Sequence, residues 1–140
     1  MTIEFVIPGE PRGKARPRWG NGRTYTPKAT VEYEKLVKSC YMAAGGKRME
    51  GAVRAEITAC YSIPKSAGKR ARADMLSGKL RPAKKPDLDN VAKIVLDSLN
   101  GLAYQDDAAV VELVVEKFYS ETPRVEVRVE TKEWTKSTLR

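Results

Sequence analysis

The sequence predicts an α+β fold: a small mixed, largely antiparallel four-stranded sheet with helices packed on it, in the order β-α-β-α-α-β-β. Three observations carry this. Residues 2–8, 52–63, 109–120 and 124–132 are rich in Val, Ile, Thr and aromatic side chains, which suit a pleated, half-buried surface. Between the strands lie two segments with apolar residues at helical spacing and a shorter basic one. Gly, Pro and Asn punctuate the junctions.

"TIEFVIP" (2–8) reads as a strand that ends in a turn at Pro8-Gly9. The following "GEPRGKARPRWGNGRTYTPK" is too rich in Gly, Pro and Arg for a helix, so a loop or irregular hairpin around Asn21-Gly22 is expected. Thr26-Pro27 reads as an N-cap with proline at the first helical position, opening a helix that runs to Gly45-Gly46. Val31, Leu36, Cys40 and Ala43, with Tyr33 and Val37, form its expected apolar side. "AVRAEITACYSI" (52–63) alternates Val53, Ala55, Ile57, Ala59 and Tyr61 against more polar positions, as a strand with one buried face does, and Pro64 ends it. Ser66 is expected to cap a short basic helix through Leu76, with Gly78 near its end. "DNVAKIVLDSLNG" has an Asp cap and an Asn-Gly exit, predicting a helix over about 90–99. The runs 109–120 and 124–132, joined by Glu121-Thr122-Pro123, are expected to pair as an antiparallel hairpin. Residues 1–132 are thus expected to form one domain, with a tail over 133–140 whose "TKSTLR" frays.

A chain of 140 residues suits one domain, and 41% apolar with 31% charged residues is the balance of a folded protein. Lys and Arg outnumber Asp and Glu by 26 to 18, a net charge of +8, so the expected partner is a polyanion, nucleic acid first. There is no histidine, which excludes Ser-His-Asp and Cys-His catalysis and His-based zinc sites. Catalysis must therefore rest on carboxylates, lysine or a metal held by oxygen. Cys40 and Cys60 lack CxxC spacing and are expected as buried thiols. No run approaches a membrane span and "MTIEFVIPGE" has no basic n-region, so the expected location is cytoplasmic, with no membrane partner.

The chemistry gathers in "KKPDLDNVAKIVLDSLNGLAYQDDAAV" (84–110). On a helix, Val91, Ile94, Val95, Ser98, Leu99 and Leu102 fall in one arc, with Leu96 the misfit; Asp89, Lys93 and Asp97 follow at i, i+4 and i+8 on another side. Alone, that stripe reads as a solvated face with weak ion pairs. Asp87-Leu88-Asp89 adds a second carboxylate on the same side of an extended approach, and two such acids repel unless a lysine or a divalent cation lies between them. Asp106-Asp107 supplies two more at the entry to the next strand. Carboxylates, waters and phosphate oxygens are what Mg²⁺ takes into its octahedral shell, and beside a basic surface the matching reaction is phosphodiester hydrolysis. Lys93, one turn from Asp89, is placed to offset charge in the transition state.

Residues 65–85 hold eight Lys or Arg against one acid, Asp74. Lys69, Arg70, Arg72, Lys84 and Lys85 are the DNA-contact candidates there. In the first loop Lys14, Arg16 and Arg18 alternate, so an extended backbone would turn all three toward a phosphate chain, with Arg23 following Gly22. Trp19 reads equally as core or as a stacking aromatic, and Tyr25 as core.

These segments resemble the RusA family of Holliday junction resolvases: "KKPDLDNVAKIVLDSLNGLAYQDDAAVVEL", with "GEPRGKARPR…GRTYTPKATVEYE" upstream and the basic "PKSAGKRARADMLSGKLRP" between. The resemblance covers roughly residues 3–130 and is specific in the combination D-x-D-N-x-x-K followed by D-D. It implies a Mg²⁺-dependent endonuclease of phage or prophage type, with Mn²⁺ as an alternative metal and no small-molecule cofactor, acting as a homodimer on four-way DNA junctions in recombination and repair. It also implies metal ligation by Asp87, Asp89 and one of Asp106 and Asp107, with Asp107 favoured, and catalysis by those acids together with Lys93. Asp97 belongs either to the chemistry or only to an ion pair with Lys93. The competing expectations are a non-catalytic nucleic-acid-binding module and a nuclease for other branched DNA.

Overall fold

A computed structural model of the chain describes residues 1–16 and 18–134, with the side chain of Arg18 left outside that description. The expected fraying of 135–140 therefore lies outside the described residues. Strand β1 (Thr2–Pro8) leads into a loop and a small hairpin, β2 (Arg18–Gly20) and β3 (Arg23–Tyr25). Its turn is Asn21-Gly22 as expected, both residues at positive φ, 50° and 75°. Helix α1 (Lys28–Ala43), strand β4 (Val53–Ser62), helices α2 (Lys69–Leu76) and α3 (Leu88–Ser98), a 3₁₀ turn (Asp107–Ala109) and strands β5 (Val110–Ser120) and β6 (Arg124–Thr131) complete the chain.

The main sheet runs β1-β6-β4-β5. β6 lies antiparallel between β1 and β4, and β5 pairs only with β4, in parallel. The sheet is mixed and largely antiparallel, as expected, but β5 and β6 are not the predicted hairpin. The four Cα steps from Ser120 to Arg124 reach about 13 Å, enough to pass over the end of β4 and land two strand spacings away, about 10 Å. A short link limits distance; it does not impose adjacency.

Register explains the core. Phe5 faces Val127, which faces Ile57; Ile7 faces Val125, which faces Ala59; and all six side chains are buried on one face of the sheet. Helices α1 and α3 cover that face with Tyr33, Val37, Tyr41, Val91, Ile94, Val95 and Leu99. Truncating Ile57 to Ala would cost about 2–5 kcal/mol, because its neighbours are fixed in strands and cannot collapse into the void. The opposite face is charged, with Glu4, Glu56, Glu116, Glu126 and Arg128 among its residues, and the α2 segment covers its β5 edge, where Gly78 and Arg81 meet Phe118.

Four local expectations are corrected. Pro27, not Thr26, is the N-cap of α1: its ψ of 142° is extended, and its carbonyl accepts from the Thr30 and Val31 N–H groups. The buried stripe is consequently Thr30, Tyr33, Val37 and Tyr41, with Leu36 and Cys40 partly buried and Ala43 exposed. Gly68 rather than Ser66 precedes α2, since a turn from Pro64 to Ala67 consumes the serine. Helix α3 begins about two residues early, so Asp87 is its N-cap and Asp89 lies in its first turn. Leu96, the misfit, is buried as well, because the turn containing Ala103 and Tyr104 packs against the end of α3.

Candidate active site

Helix α3 carries the acids because its approach is pinned. The buried Tyr61 hydroxyl donates to the Pro86 carbonyl at 2.6 Å, which fixes the chain one residue before the cap. Burial, and then the negative charges of Asp87 and Glu10, push the Tyr61 pKa up to about 12, so the phenol keeps its proton and remains a donor. The Asp87 side chain makes no capping hydrogen bond. Asp87 and Asp89 are both exposed at a helix N-terminus, where the backbone N–H groups favour negative charge. With one at the cap and one inside the first turn, they do not share a side as an extended approach would have placed them.

One turn along, Lys93 is exposed and its ammonium lies 3.1 Å from Asp97 Oδ2. Asp97 is a meeting point. Lys14, from the loop after β1, reaches the same oxygen at 3.5 Å and Glu34 of α1 at 2.8 Å. Burial opposes the Lys14 charge, but the hydrogen bond and charge of Glu34, then those of Asp97, outweigh it and raise its pKa.

Asp107 joins from the other side. Burial first, then the charge of Asp106, then a hydrogen bond with Asp97 and its charge, raise the Asp107 carboxyl above its usual range, against a smaller pull from Lys93. Asp106 is occupied differently, since its Oδ2 accepts the Ala108 N–H at 3.1 Å and so caps the 3₁₀ turn. Tyr104 ties this turn to α3, its buried hydroxyl donating to the Leu96 carbonyl at 2.7 Å. Burial, with the charges of Asp107 and Asp97 next, raises the Tyr104 pKa strongly.

The predicted acids thus stand in two groups along α3. Asp87 and Asp89 are at its start, while Asp107 sits with Asp97, eight residues and about 12 Å of helix rise beyond Asp89, with Lys93 between. Among the described residues no three His, Cys, Asp or Glu side chains are gathered closely enough to hold a metal ion. The donor chemistry still suits a hard dication, since every candidate is a carboxylate and Asp107 is crowded by two others.

Beside the start of α3 is a cleft of about 520 Å³ lined by Arg12, Lys14, Lys85, Asp87 and Asn90 among others. Lys85 therefore shares this cleft with Asp87. Lys84 is exposed and lies over the Tyr119 ring at 5.8 Å. Lys69, Arg70 and Arg72 line the exposed α2, although Arg72 is engaged with Glu121 at 2.8 Å. Arg16 and Arg23 are exposed, and the Arg18 side chain lies outside the described residues. Trp19 and Tyr25 are both exposed, which corrects the expectation of a core Tyr25: its ring folds over Gly20, where a Cβ would come within 2.9 Å of it. Cys60 is buried and Cys40 only partly so, a correction for the latter; both are free thiols.

Sequence reasoning missed three contributors. Arg12 lines the cleft, Glu34 anchors Lys14, and Lys117 of β5 stands over the Tyr61 ring at 4.9 Å while its ammonium donates to the Lys84 carbonyl. Lys117 had a signal: it shares strand parity with the partly buried Val115 and Tyr119.

Residues 8–130 match the family model described as endodeoxyribonuclease RusA. The chain is also 39% identical over 137 residues to "Uncharacterized protein YqaN" of Bacillus subtilis (strain 168), an alignment covering 91% of this chain and 94% of that protein.

Proposed function

The chain belongs to the RusA family of endodeoxyribonucleases, and from that membership we propose that it is a Mg²⁺-dependent resolvase of four-way DNA junctions, acting as a homodimer. The observation that carries this reading is the start of α3: two exposed aspartates, Asp87 and Asp89, one turn from the exposed Lys93 and beside a cleft lined by Arg12 and Lys85. The family reading assigns the metal to Asp87, Asp89 and Asp107; because Asp107 stands with Asp97, about 12 Å of helix rise from Asp89, one ion would be shared by all three only after the turn carrying Asp107 closes on the start of α3. Asp106, whose carboxylate caps the turn, is the less suited alternative to Asp107. A dication held by these carboxylates would polarise a phosphoryl oxygen, favour ionisation of the attacking water and offset charge on the leaving 3′-oxygen.

The protein's own groups do the rest. Lys93, held at one edge by Asp97, keeps protons free for a phosphoryl oxygen that gains charge in the transition state. Arg12, Arg16, Arg23, Lys69, Arg70, Lys84 and Lys85 bring the DNA backbone to acids that would otherwise repel it, with Arg18 and Arg72 as further contacts. The exposed Trp19 and Tyr25 suit stacking on bases unpaired at a junction centre. Two active sites related by a two-fold axis would deliver the paired nicks that resolution requires.

The test is cleavage of a synthetic four-way junction with and without Mg²⁺, by the parent and by Asp89→Asn. The parent should nick two opposed strands only with metal, and Asp89→Asn should bind with the same affinity and nick at least about 100-fold more slowly. Undiminished nicking by the variant would sink the metal-site assignment. Binding without nicking by the parent would leave a non-catalytic module, and faster nicking of flaps than of junctions at equal salt would reassign the substrate.

A further inference from the structure

Resting on the nuclease reading above, we propose that Lys14 is a positioning residue of the active site and not a contact to DNA: it holds Asp97, and Asp97 holds Lys93. The alternation of Lys14, Arg16 and Arg18 suggests three side chains turned toward a phosphate chain. The backbone does otherwise. The Lys14 N–H donates to the Asn90 carbonyl at 3.1 Å, and Gly13 lies so close to α3 that a Cβ there would meet Asn90 Cβ at 3.0 Å and Pro86 Cβ at 3.1 Å. Pressed against the first turns of α3, the loop sends Lys14 along the wall of the cleft toward Glu34 and Asp97.

There the ammonium bridges two elements, at 2.8 Å from Glu34 Oε2 on α1 and 3.5 Å from Asp97 Oδ2 on α3. The Lys14 side chain is 24% exposed and that of Asp97 17%, whereas that of Lys93 is 59% exposed. The two lysines therefore approach one carboxylate from two sides, Lys14 from the wall of the cleft and Lys93 from the more exposed surface. The Asp107 carboxyl also lies against Asp97, so Lys93 alone would face two acids there. With Lys14 in place, Asp97 is steadied by a second cation, and Lys93 is free to turn some of its three N–H groups toward substrate. Without it, Lys93 becomes the counter-ion of both acids and is drawn down from the surface where the phosphate must lie. Glu34 sets the reach of Lys14, so a helix that carries no proposed ligand takes part in placing the catalytic lysine.

The experiment compares Lys14→Met, Lys14→Arg and the double variant Lys14→Met/Glu34→Met in junction nicking at saturating DNA and in junction binding without metal over a salt series. Thermal unfolding is followed alongside. Lys14→Met should lower kcat by about 10–100-fold, the usual cost of removing a group that orients catalytic side chains, with the junction Kd and its salt slope unchanged. Lys14→Arg should recover most of that loss. The double variant replaces the ion pair with apolar side chains, so it should regain Tm and remain as slow as Lys14→Met. A Lys14→Met protein with parental kcat overturns the proposal; if it also binds more weakly, with a salt slope smaller by about one, Lys14 is a phosphate contact instead. A double variant that regains kcat together with Tm overturns it too, because Lys14 would then serve only the fold. A parent protein that nicks no branched DNA removes the nuclease reading itself, an outcome visible before any variant is compared.

Discussion

Two charged clusters in this molecule use the same kinds of side chain to opposite effect. On the open face of the sheet, Arg54 of β4 contacts Glu112 and lies 3.1 Å from Glu56 and 3.6 Å from Glu130. The three glutamates come from three adjacent strands in one register row or the next, so the guanidinium cross-braces β5, β4 and β6. Its hydrogen bonds to Glu56 and Glu112 raise the Arg54 pKa, and the Glu56 and Glu112 carboxyls fall below their usual range. Around α3 the result is reversed: Asp107, partly buried and set beside Asp106 and Asp97, is pushed up by that burial and then by its neighbours' charge, despite Lys93. A brace satisfies its acids. A cluster that leaves an acid unsatisfied has room for another positive group, and this difference, more than the count of charges, separates the two regions.

The largest effect should come from removing the crowded acid. Asp107→Asn should slow Mg²⁺-dependent junction nicking by at least about 100-fold while leaving Tm equal to the parent's or higher, because a like-charge contact with Asp97 and Asp106 is relieved. Loss of Tm together with activity would mean that Asp107 is part of a brace, and the contrast between the clusters would fail. The counterpart on the sheet is Arg54→Met, which leaves Glu56, Glu112 and Glu130 facing one another across three strands. It should lower Tm more than substitution of any one of those glutamates, with nicking at the parental rate. Impaired nicking by a fully folded Arg54→Met protein would show that the open face also serves the reaction.

Legibility from sequence differed between the clusters for a physical reason. The β-branched run of β1, the alternation along β4, the Asn21-Gly22 turn and the helical spacing of α3 are local patterns, and each appears within about two residues of where the sequence places it. Asp89, Lys93 and Asp97 share a helix, so their stripe was also readable. What no local pattern contains is the arrival of partners from far along the chain. Lys14 and Glu34 meet Asp97 through packing of the first loop and α1 on α3, and Arg54 meets Glu112 because β5 pairs with β4 and not with β6. Helix starts shifted for a related reason. Thr26, Ser66 and Asp89 are all capable caps, but the chain direction set by Pro27, the Pro64 turn and the Tyr61 contact to Pro86 decided where each helix could begin.

The smallest effect sharpens the comparison through pH. Glu112 accepts the Trp134 indole N–H at 2.8 Å as well as the Arg54 guanidinium, and these two bonds, in that order, lower its pKa from the ordinary 4.5. For an acid whose folded pKa is depressed, the folded state binds fewer protons than the unfolded state between the two values. Its contribution to stability is therefore complete above the unfolded pKa and is lost as pH falls through the folded one. Glu112→Gln should consequently melt slightly below the parent at pH 7, and the gap should close as pH falls below about 4.5. Because the Glu112 side chain is 38% exposed, added salt should narrow the gap at pH 7 as well. A gap that persists unchanged at pH 3 would mean that Glu112 stabilises through packing and neutral hydrogen bonds, and the sheet cluster could then no longer be described as an electrostatic brace.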